Sequence, residues 1–468
     1  MTNQAAIIGG GVIGGGWAAR LTLNGWDVRI FDPDPEAARK IGEVMNNARR
    51  ALPMLVDSDM PEEGSLKICA TLQEAATGAE LIVEAVPERV DIKRKVYAQI
   101  EAVNTDGIIA SSTSGIMPTE LQAEMNNPGR LIVGHPFNPV YLLPLVELVA
   151  GEKTDPAAIE TAKDIYTRLG MYPLHCRVEI EGFLSDRLQE ALWREALWLL
   201  HDDIATADEI DAAIRFGPGL RWAQMGTMQT FHLAGGEGGM RAMLAMFGPC
   251  LKWPWTKLMD VPDLTDAFVN KVGDQCDAQA GDLGPRDLER IRDDNLIGII
   301  RSLKGNDWGA GAVAKAHQKS LMSLPDSGLP MVTQRRVVPV DWTDMNGHMN
   351  EGRYGQLFSD AAEVVMAAVG ADDDYVAAGM SYFTVDTTVK YLAETHAGEK
   401  IEVHTKVTVG EGKKLRCLHE MKRASDGECM ATCDQFMLHV SLDTRRTCEP
   451  ADHVRTKVEA LAAAHAEG

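Results

Sequence analysis

The sequence predicts three modules in succession: a doubly wound α/β domain, an all-helical domain and an α+β domain. Three observations carry this. Short apolar strands alternate with helical patterns up to about residue 181. Strand signals then vanish between Phe183 and about Met322. Beyond a joint dense in Pro, Gly, Ser and Asp, one helical pattern is followed by a run of β-rich segments. The expected boundaries are 1–181, 182–322, a linker at 323–332, and 333–468. A chain of 468 residues is too long for a single core.

The first strand runs from Gln4 to Gly9, and a helix follows from Gly14 to Asn24. Further strands are expected at Val28–Asp32, Leu81–Ala85, Ile108–Ser111 and Leu131–Gly134, with helical stretches such as Glu88–Val103 between them. Such alternation means a mostly parallel sheet covered by helices. Leu184–His201 and Thr206–Ile214 are the clearest helices of the second module. The third opens with a strand at Gln334–Val340 and a helix at Tyr354–Val369. β-rich segments follow around 381–394, 399–410, 413–424 and 429–440, which suggests antiparallel strands wrapped on that helix.

The net charge of -22 argues against nucleic acid and anionic membrane as partners. The eight cysteines are scattered, with no CxxC pair and no His at metal-ligand spacing. They read as reduced intracellular thiols, and no metal is expected. No apolar run reaches eighteen residues and the chain opens on a strand, so neither a membrane span nor a signal peptide is expected, and the cytoplasm is the default.

Gly9, Gly11 and Gly14 have the G-x-G-x-x-G spacing between a strand and a helix. The first glycine permits the tight turn, the second lets the backbone approach a pyrophosphate, and the third lets helix and strand pack closely. Val12 and Ile13 lie in the same turn, just ahead of the helix, whose free N–H groups and positive dipole end would face the phosphates. Asp32 ends the next strand, eighteen residues after Gly14, where it can accept bonds from the ribose hydroxyls. No basic residue follows in Asp32-Pro33-Asp34-Pro35, so NAD is favoured over NADP. The plain alternative is a tight turn with a capped helix.

Next come Ser111-Ser112-Thr113-Ser114-Gly115, His135-Pro136-Phe137-Asn138-Pro139 and Leu145-Val146-Glu147. Here the chain resembles the 3-hydroxyacyl-CoA dehydrogenase superfamily, over roughly residues 1–320. The resemblance implies a Rossmann domain followed by a helical domain like that of 6-phosphogluconate dehydrogenase. It also implies that His135 takes the substrate hydroxyl proton while hydride leaves for NAD, with Glu147 orienting the imidazole. The chemistry agrees, because an imidazole titrates near working pH and a carboxylate fixes its tautomer. By the same matching Ser114 meets the substrate hydroxyl or the nicotinamide side, and Glu88 and Lys93 lie near the cofactor. A histidine satisfied in a strand-to-loop turn is the bland reading of His135.

One departure matters. The family has Asn in a Pro-Gly-Phe-x-x-Asn-Arg motif, and this chain has Asp186 there, in Gly182-Phe183-Leu184-Ser185-Asp186-Arg187. An ionised carboxylate cannot donate a hydrogen bond but can attract a cation. Gly14-Gly15-Gly16-Trp17-Ala18-Ala19-Arg20, Phe31-Asp32-Pro33, Val86-Pro87-Glu88-Arg89 and His135 to Pro144 are most similar to the L-carnitine 3-dehydrogenase branch. Gulonate dehydrogenases share the region Gly217 to Trp222 in kind. Carnitine is a 3-hydroxy acid with a trimethylammonium group, which aromatic faces and a carboxylate would hold. Tyr141 and Trp222 are candidates beside Asp186, with Phe231, Trp193, Trp198, Trp253, Trp255 and Trp308 behind them, although a helical Trp is usually core. Arg187 and Arg221 are possible partners of the substrate carboxylate, with structural salt bridges the plainer reading.

From about Thr333 the chain resembles the hot-dog acyl-CoA thioesterases of the 4-hydroxybenzoyl-CoA type, whose motif is Asp-x-x-Gly-His-x-Asn-Asn-x-x-Tyr. Here it reads Asp344-Met345-Asn346-Gly347-His348-Met349-Asn350-Glu351-Gly352-Arg353-Tyr354, with Glu351 in place of the second Asn. Asp344 is implied as nucleophile or as the base that activates water, with His348 and Asn350 at the substrate. The helix after Asn350 would offer amides to the oxyanion. The alternative is a catalytically dead module retained for dimerisation.

Together these resemblances imply a bifunctional enzyme: oxidation of L-carnitine with NAD, and hydrolysis of betainyl-CoA or a similar small acyl-CoA, in at least a homodimer. The rivals are a gulonate-type or 3-hydroxyacyl-CoA dehydrogenase, and a dehydrogenase carrying a non-catalytic module.

Overall fold

A computed structural model describes residues 3–467, apart from 224–225, 236, 238, 248–255, 257–262, 264, 269, 272–273, 275–281, 284, 322–328 and 330. The chain divides into two compact units, one of residues 1–51 with 62–317 and one of 52–61 with 318–468.

The first unit is built on strands β1 (Gln4–Ile8), β2 (Asp27–Phe31), β3 (Leu66–Ile68), β4 (Leu81–Glu84), β5 (Ile108–Ser111), β6 (Leu131–Pro136), β7 (Leu145–Ala150) and β8 (Tyr172–Cys176). They form one sheet in the order β3-β2-β1-β4-β5-β6-β7-β8. The ladders are parallel throughout except that β7 runs antiparallel to β6. The strand order reverses between β1 and β4, the switch point where open α/β sheets bind ligands beyond their carboxyl ends. Helices α1 (Val12–Leu23), α2 (Ala37–Ala51), α3 (Leu72–Ala76), α4 (Val90–Glu101), α5 (Pro118–Gln122) and α6 (Pro156–Arg168) connect the strands. β1 and β4–β6 are buried along almost their whole length, as strands sandwiched between helices must be. The expected strands are present within a residue or two; β3, β7 and β8 carried no signal strong enough to foresee.

Arg20, from the Trp17-Ala18-Ala19-Arg20 run, is buried, and its guanidinium donates to the carbonyls of Leu169, Val140 and Gly170. Burial without a carboxylate pushes its pKa down to about 10. Its bonds satisfy carbonyls that would otherwise be buried unpaired.

Beyond β8 the described residues are helical: α7 (Ser185–His201), α8 (Ala207–Arg215), α9 (Pro218–Trp222), α10 (Thr227–Ala234), α11 (Gly239–Phe247), α12 (Pro285–Gly305) and α13 (Gly309–Leu321). Thr206 caps α8 in a reciprocal capping box with Glu209. Trp253 and Trp255 lie outside the described residues, as does most of the expected linker.

The second unit carries β9 (Met331–Val337), helix α14 (Glu351–Ala368), a short helix α15 (Asp373–Ala377), β10 (Met380–Tyr391), β11 (Lys400–Glu411), β12 (Lys414–Arg423), β13 (Cys429–Ser441), β14 (Arg446–Thr447) and helix α16 (Asp452–Ala466). Its antiparallel sheet has the order β10-β13-β12-β11-β9, with β14 on β13. Alternate residues of β11 and β12 are buried, so one face of the sheet is covered. Leu357, Phe358, Ala361 and Val365 of α14 pack into that face with Val403, Cys417, Met421 and Met437. This is a curled sheet about one helix, the hot-dog arrangement. β9 begins at Met331, inside the expected linker, and ends three residues earlier than foreseen, since Pro339 has no N–H with which to extend the ladder to β11.

Candidate active sites

Five of the parallel strands of the first unit deliver chemistry at their carboxyl ends. After β1, Gly9 has φ +103°, and a Cβ there would lie 2.5 Å from the carbonyl oxygen of Ala85. A Cβ on Gly14 would lie 1.8 Å from the oxygen of Gly9. Only glycine fits either place. Gly11, by contrast, opens α1 onto free space, Val12 is 62% exposed, Ile13 lies half-buried behind it, and the first turn of the helix holds no acidic residue. These are the features a dinucleotide pyrophosphate needs: bare amides, the positive helix end and no competing anion.

Asp32 follows β2, and its carboxylate accepts the amide N–H of Gly10 at 2.6 Å and of Asp34 at 2.7 Å. The nearby bases are engaged, Lys40 with Asp34 and Arg39 with Glu36 and Glu43. Among the described residues no unengaged cation beside Asp32 is set to receive a 2′-phosphate.

After β4 comes a polar network that the sequence did not reveal. Glu84 is fully buried and accepts Lys93 Nζ, the Tyr97 hydroxyl and the Ser111 hydroxyl, each at 2.7 Å. Lys93, 1% exposed, also lies 3.4 Å from Glu88. Glu88 accepts the amides of Ser114 (3.0 Å) and Gly115 (3.3 Å) and the hydroxyl of Thr113. Burial pushes the Glu88 carboxyl up, but Thr113, Lys93 and the Ser114 amide outweigh it, and the group lies below the usual carboxylate range. Glu88 and Lys93 therefore brace the loop that carries Ser114, whose side chain is exposed. The available signal for Glu84 was a carboxylate closing the apolar run Leu81-Ile82-Val83, a place where charge is rare unless paired.

β6 and β7 deliver the dyad. His135 and Glu147 are register partners across the antiparallel ladder, so their side chains share one face. His135 Nδ1 lies 2.9 Å from Glu147 Oε2, and both residues are buried. The other Glu147 oxygen accepts the amides of Leu184 (3.1 Å) and Ser185 (3.0 Å) at the start of α7. Burial raises the Glu147 carboxyl, while the bonds to His135 and to the Ser185 amide bring it below the usual range. An ionised Glu147 accepts the Nδ1–H hydrogen bond, which keeps the proton on Nδ1 and leaves the Nε2 lone pair free to accept another. Asp186, in the first turn of α7, sets its Oδ2 3.6 Å from that Nε2, too long for a hydrogen bond. Burial raises the Asp186 carboxyl, and Glu147, Glu190 and Glu88 add to this against the pull of His135. The open side of the imidazole is thus lined with acid.

Tyr141 is 4% exposed and its hydroxyl donates to Asp293 at 2.7 Å, so it sits as a core tyrosine. Trp222 lies on α9, 40% exposed, and among the described residues no ring contact joins it to His135. The rings that do meet His135 are Phe137 (4.9 Å between centroids) and Phe183 (5.6 Å).

In the second unit, Asp344 closes its own turn. Its amide donates to the His348 carbonyl at 2.9 Å, and its Oδ1 accepts the Asn346 amide at 2.8 Å. Asn350 caps α14 by accepting the Gly352 amide at 2.9 Å, so that amide is already taken. His348 Nε2 lies 3.3 Å from Glu394 Oε2.

Comparison with known proteins gives the same division. Residues 4–179 match the 3-hydroxyacyl-CoA dehydrogenase NAD binding domain, 182–263 its C-terminal domain and 338–458 the thioesterase-like superfamily. The L-carnitine dehydrogenase/betainyl-CoA thioesterase of Ruegeria pomeroyi is 54% identical over 99% of this chain and 96% of its own. The chain belongs to that family. Rhizobium meliloti has a relative of the same description, 47% identical over 99% of this chain and 96% of its own. The L-carnitine dehydrogenase of Mesorhizobium japonicum, 57% identical, covers only 69% of this chain, yet that is 90% of its own length. Among solved structures, an NAD-dependent dehydrogenase of 5-formyl-3-hydroxy-2-methylpyridine 4-carboxylic acid, 28% identical, covers 65% of this chain and 99% of its own with a TM-score of 0.56.

Proposed function

We propose that the first unit oxidises L-carnitine to 3-dehydrocarnitine with NAD, and that the second hydrolyses betainyl-CoA to betaine and CoA. The His135–Glu147 pair at 2.9 Å is the observation that carries the dehydrogenase reading. Bound at Gly9–Gly14 and Asp32, NAD supplies the hydride acceptor. His135 Nε2 takes the proton of the 3-hydroxyl, and the imidazolium that forms is stabilised by Glu147. The amides of Leu184 and Ser185 hold Glu147 so that the ring keeps its aim. Ser114, on the loop braced by Glu88 and Lys93, would meet the substrate hydroxyl or the nicotinamide side. Asp186, with Glu147, Glu190 and Glu88 behind it, favours a cationic substrate over a neutral thioester. Tyr141 is held by Asp293 through its hydroxyl, and Trp222 is the candidate for the ammonium. The test is NADH formation from L-carnitine beside gulonate and 3-hydroxybutyryl-CoA, and comparable rates with all three would end the carnitine assignment.

In the second unit Asp344 activates water or attacks the thioester carbonyl, with His348 and Asn350 flanking it. We read the protein as a homodimer or larger. β10 is an edge strand of twelve residues among those described, and it exposes Phe383, Val385 and Tyr391, with Leu392 just beyond it. An apolar edge of that length invites pairing. No helix of the described residues is long and apolar enough to cross a membrane. Cys69, Cys176, Cys417 and Cys433 are buried free thiols, which supports a cytoplasmic location.

A further inference from the structure

The loop that carries Asp344 meets the segment after β10 through two histidines and a glutamate. His348 and His396 pair across an isolated antiparallel bridge, with ring centroids 4.9 Å apart and planes at 73°. Glu394 Oε2 lies 3.3 Å from His348 Nε2. One ligand atom from each of the three residues falls within 4.8 Å of the others. Two ligands bonded to a tetrahedral zinc ion at about 2.0–2.1 Å sit about 3.3 Å apart. The His348–Glu394 separation already has that value.

The tautomer of His396 points the same way. Its Nδ1 lies 3.2 Å from the Gly347 carbonyl oxygen. A carbonyl only accepts, so Nδ1 carries the proton and Nε2 keeps its lone pair. Metal-binding imidazoles are commonly held like this, with the outer N–H on a backbone carbonyl. Gly347 presents that carbonyl from φ +79°, a conformation glycine adopts at no cost in sterics. His348 and Glu394 are both solvent-accessible, so an ion can enter. Two imidazoles and one carboxylate suit zinc better than calcium or magnesium, which prefer all-oxygen shells.

We propose that His348, Glu394 and His396 bind one zinc ion, which ties the Asp344–Asn350 loop to the segment 394–396. This cluster is not legible in the sequence, because Glu394-x-His396 and a histidine 48 positions upstream match no ligand spacing. Three protein ligands leave a fourth position for water. The site acts as a clamp on the loop, and no bond-making step is assigned to the ion. The rival is a bare Glu394–His348 ion pair.

The test is calorimetric titration of the untagged, chelator-stripped, full-length chain with zinc sulfate near neutral pH. One zinc per chain should bind saturably, and zinc should raise the Tm. His396→Ala and the isosteric Glu394→Gln should each weaken binding at least about tenfold, with circular dichroism unchanged; if His396→Ala fails to fold, Glu394→Gln decides. Absence of saturable binding in the wild type, or wild-type affinity in the folded variants, overturns the proposal. The readout is metal binding, so its failure is distinct from failure of the hydrolase reading.

Discussion

The two sites are held in opposite ways. His135 and Glu147 stand opposite one another on paired strands, buried, with Glu147 further bound by two amides at the start of α7. Asp344 stands in a short loop closed mainly by its own turn, and its neighbour Met345 is 98% exposed. The first site is complete once its unit has folded. The second depends on the order of one loop. A dyad built on ladder register is rigid by construction, whereas a loop site needs an outside brace.

The largest effect expected is at the dyad. His135→Ala should lower kcat for carnitine oxidation by about a hundredfold to ten-thousandfold while NAD binding, followed by fluorescence titration, survives. Adding Glu147→Gln should lower it little further, because the two act as one unit. Fully additive losses would show that Glu147 does not act through His135.

Lys93→Met comes next. It strands the Glu84 carboxylate in the core, which costs about 3–5 kcal/mol for a buried pair broken on one side. Denaturant unfolding should show this loss, with a raised KM for NAD as the Ser114 loop slackens. A neutral outcome would mean that Glu84 finds another partner and that the brace is dispensable.

Asp186→Asn should cut kcat/KM for carnitine by about fivefold to tenfold, the size of a partly screened charge pair, and should spare uncharged 3-hydroxy acids. Asp186 must be ionised to attract the ammonium, and burial holds its carboxyl above the usual range. The ratio of wild-type to Asp186→Asn kcat/KM should therefore fall toward one on acidification, starting at a higher pH than an ordinary aspartate would show. A pH-independent ratio would remove the charge from the account.

The smallest effect separates capping from chemistry in the second unit. Asn350→Ala should cost about 1 kcal/mol of stability through loss of the α14 cap. If Asn350 also serves the thioester, kcat for CoA release falls beyond what that loss explains; an unchanged kcat would leave it a cap alone.

What the sequence showed depended on the range of each contact. Gly9, Gly14 and Asp32 were legible because turn, helix and strand end lie within one βαβ unit. His135 and Glu147 were legible as a motif, and the ladder supplied the reason for their spacing. Glu84 was not, since one carboxylate at the end of an apolar strand has no partner pattern in sequence. Tyr141 read as a substrate aromatic because Asp293, which holds its hydroxyl, lies 152 positions away. His348 and His396 are likewise joined only by folding. Of the aromatic candidates, Trp253 and Trp255 fall outside the described residues.

The central claim is that one chain carries two independent active sites. The direct measurement is a reciprocal knock-out in the full-length protein, with carnitine-dependent NADH formation and CoA release from betainyl-CoA assayed on wild type, His135→Ala and Asp344→Ala. The account predicts that His135→Ala loses the first activity and keeps the second, and that Asp344→Ala does the reverse. Wild-type CoA release by Asp344→Ala, or loss of both activities from either substitution, would contradict it.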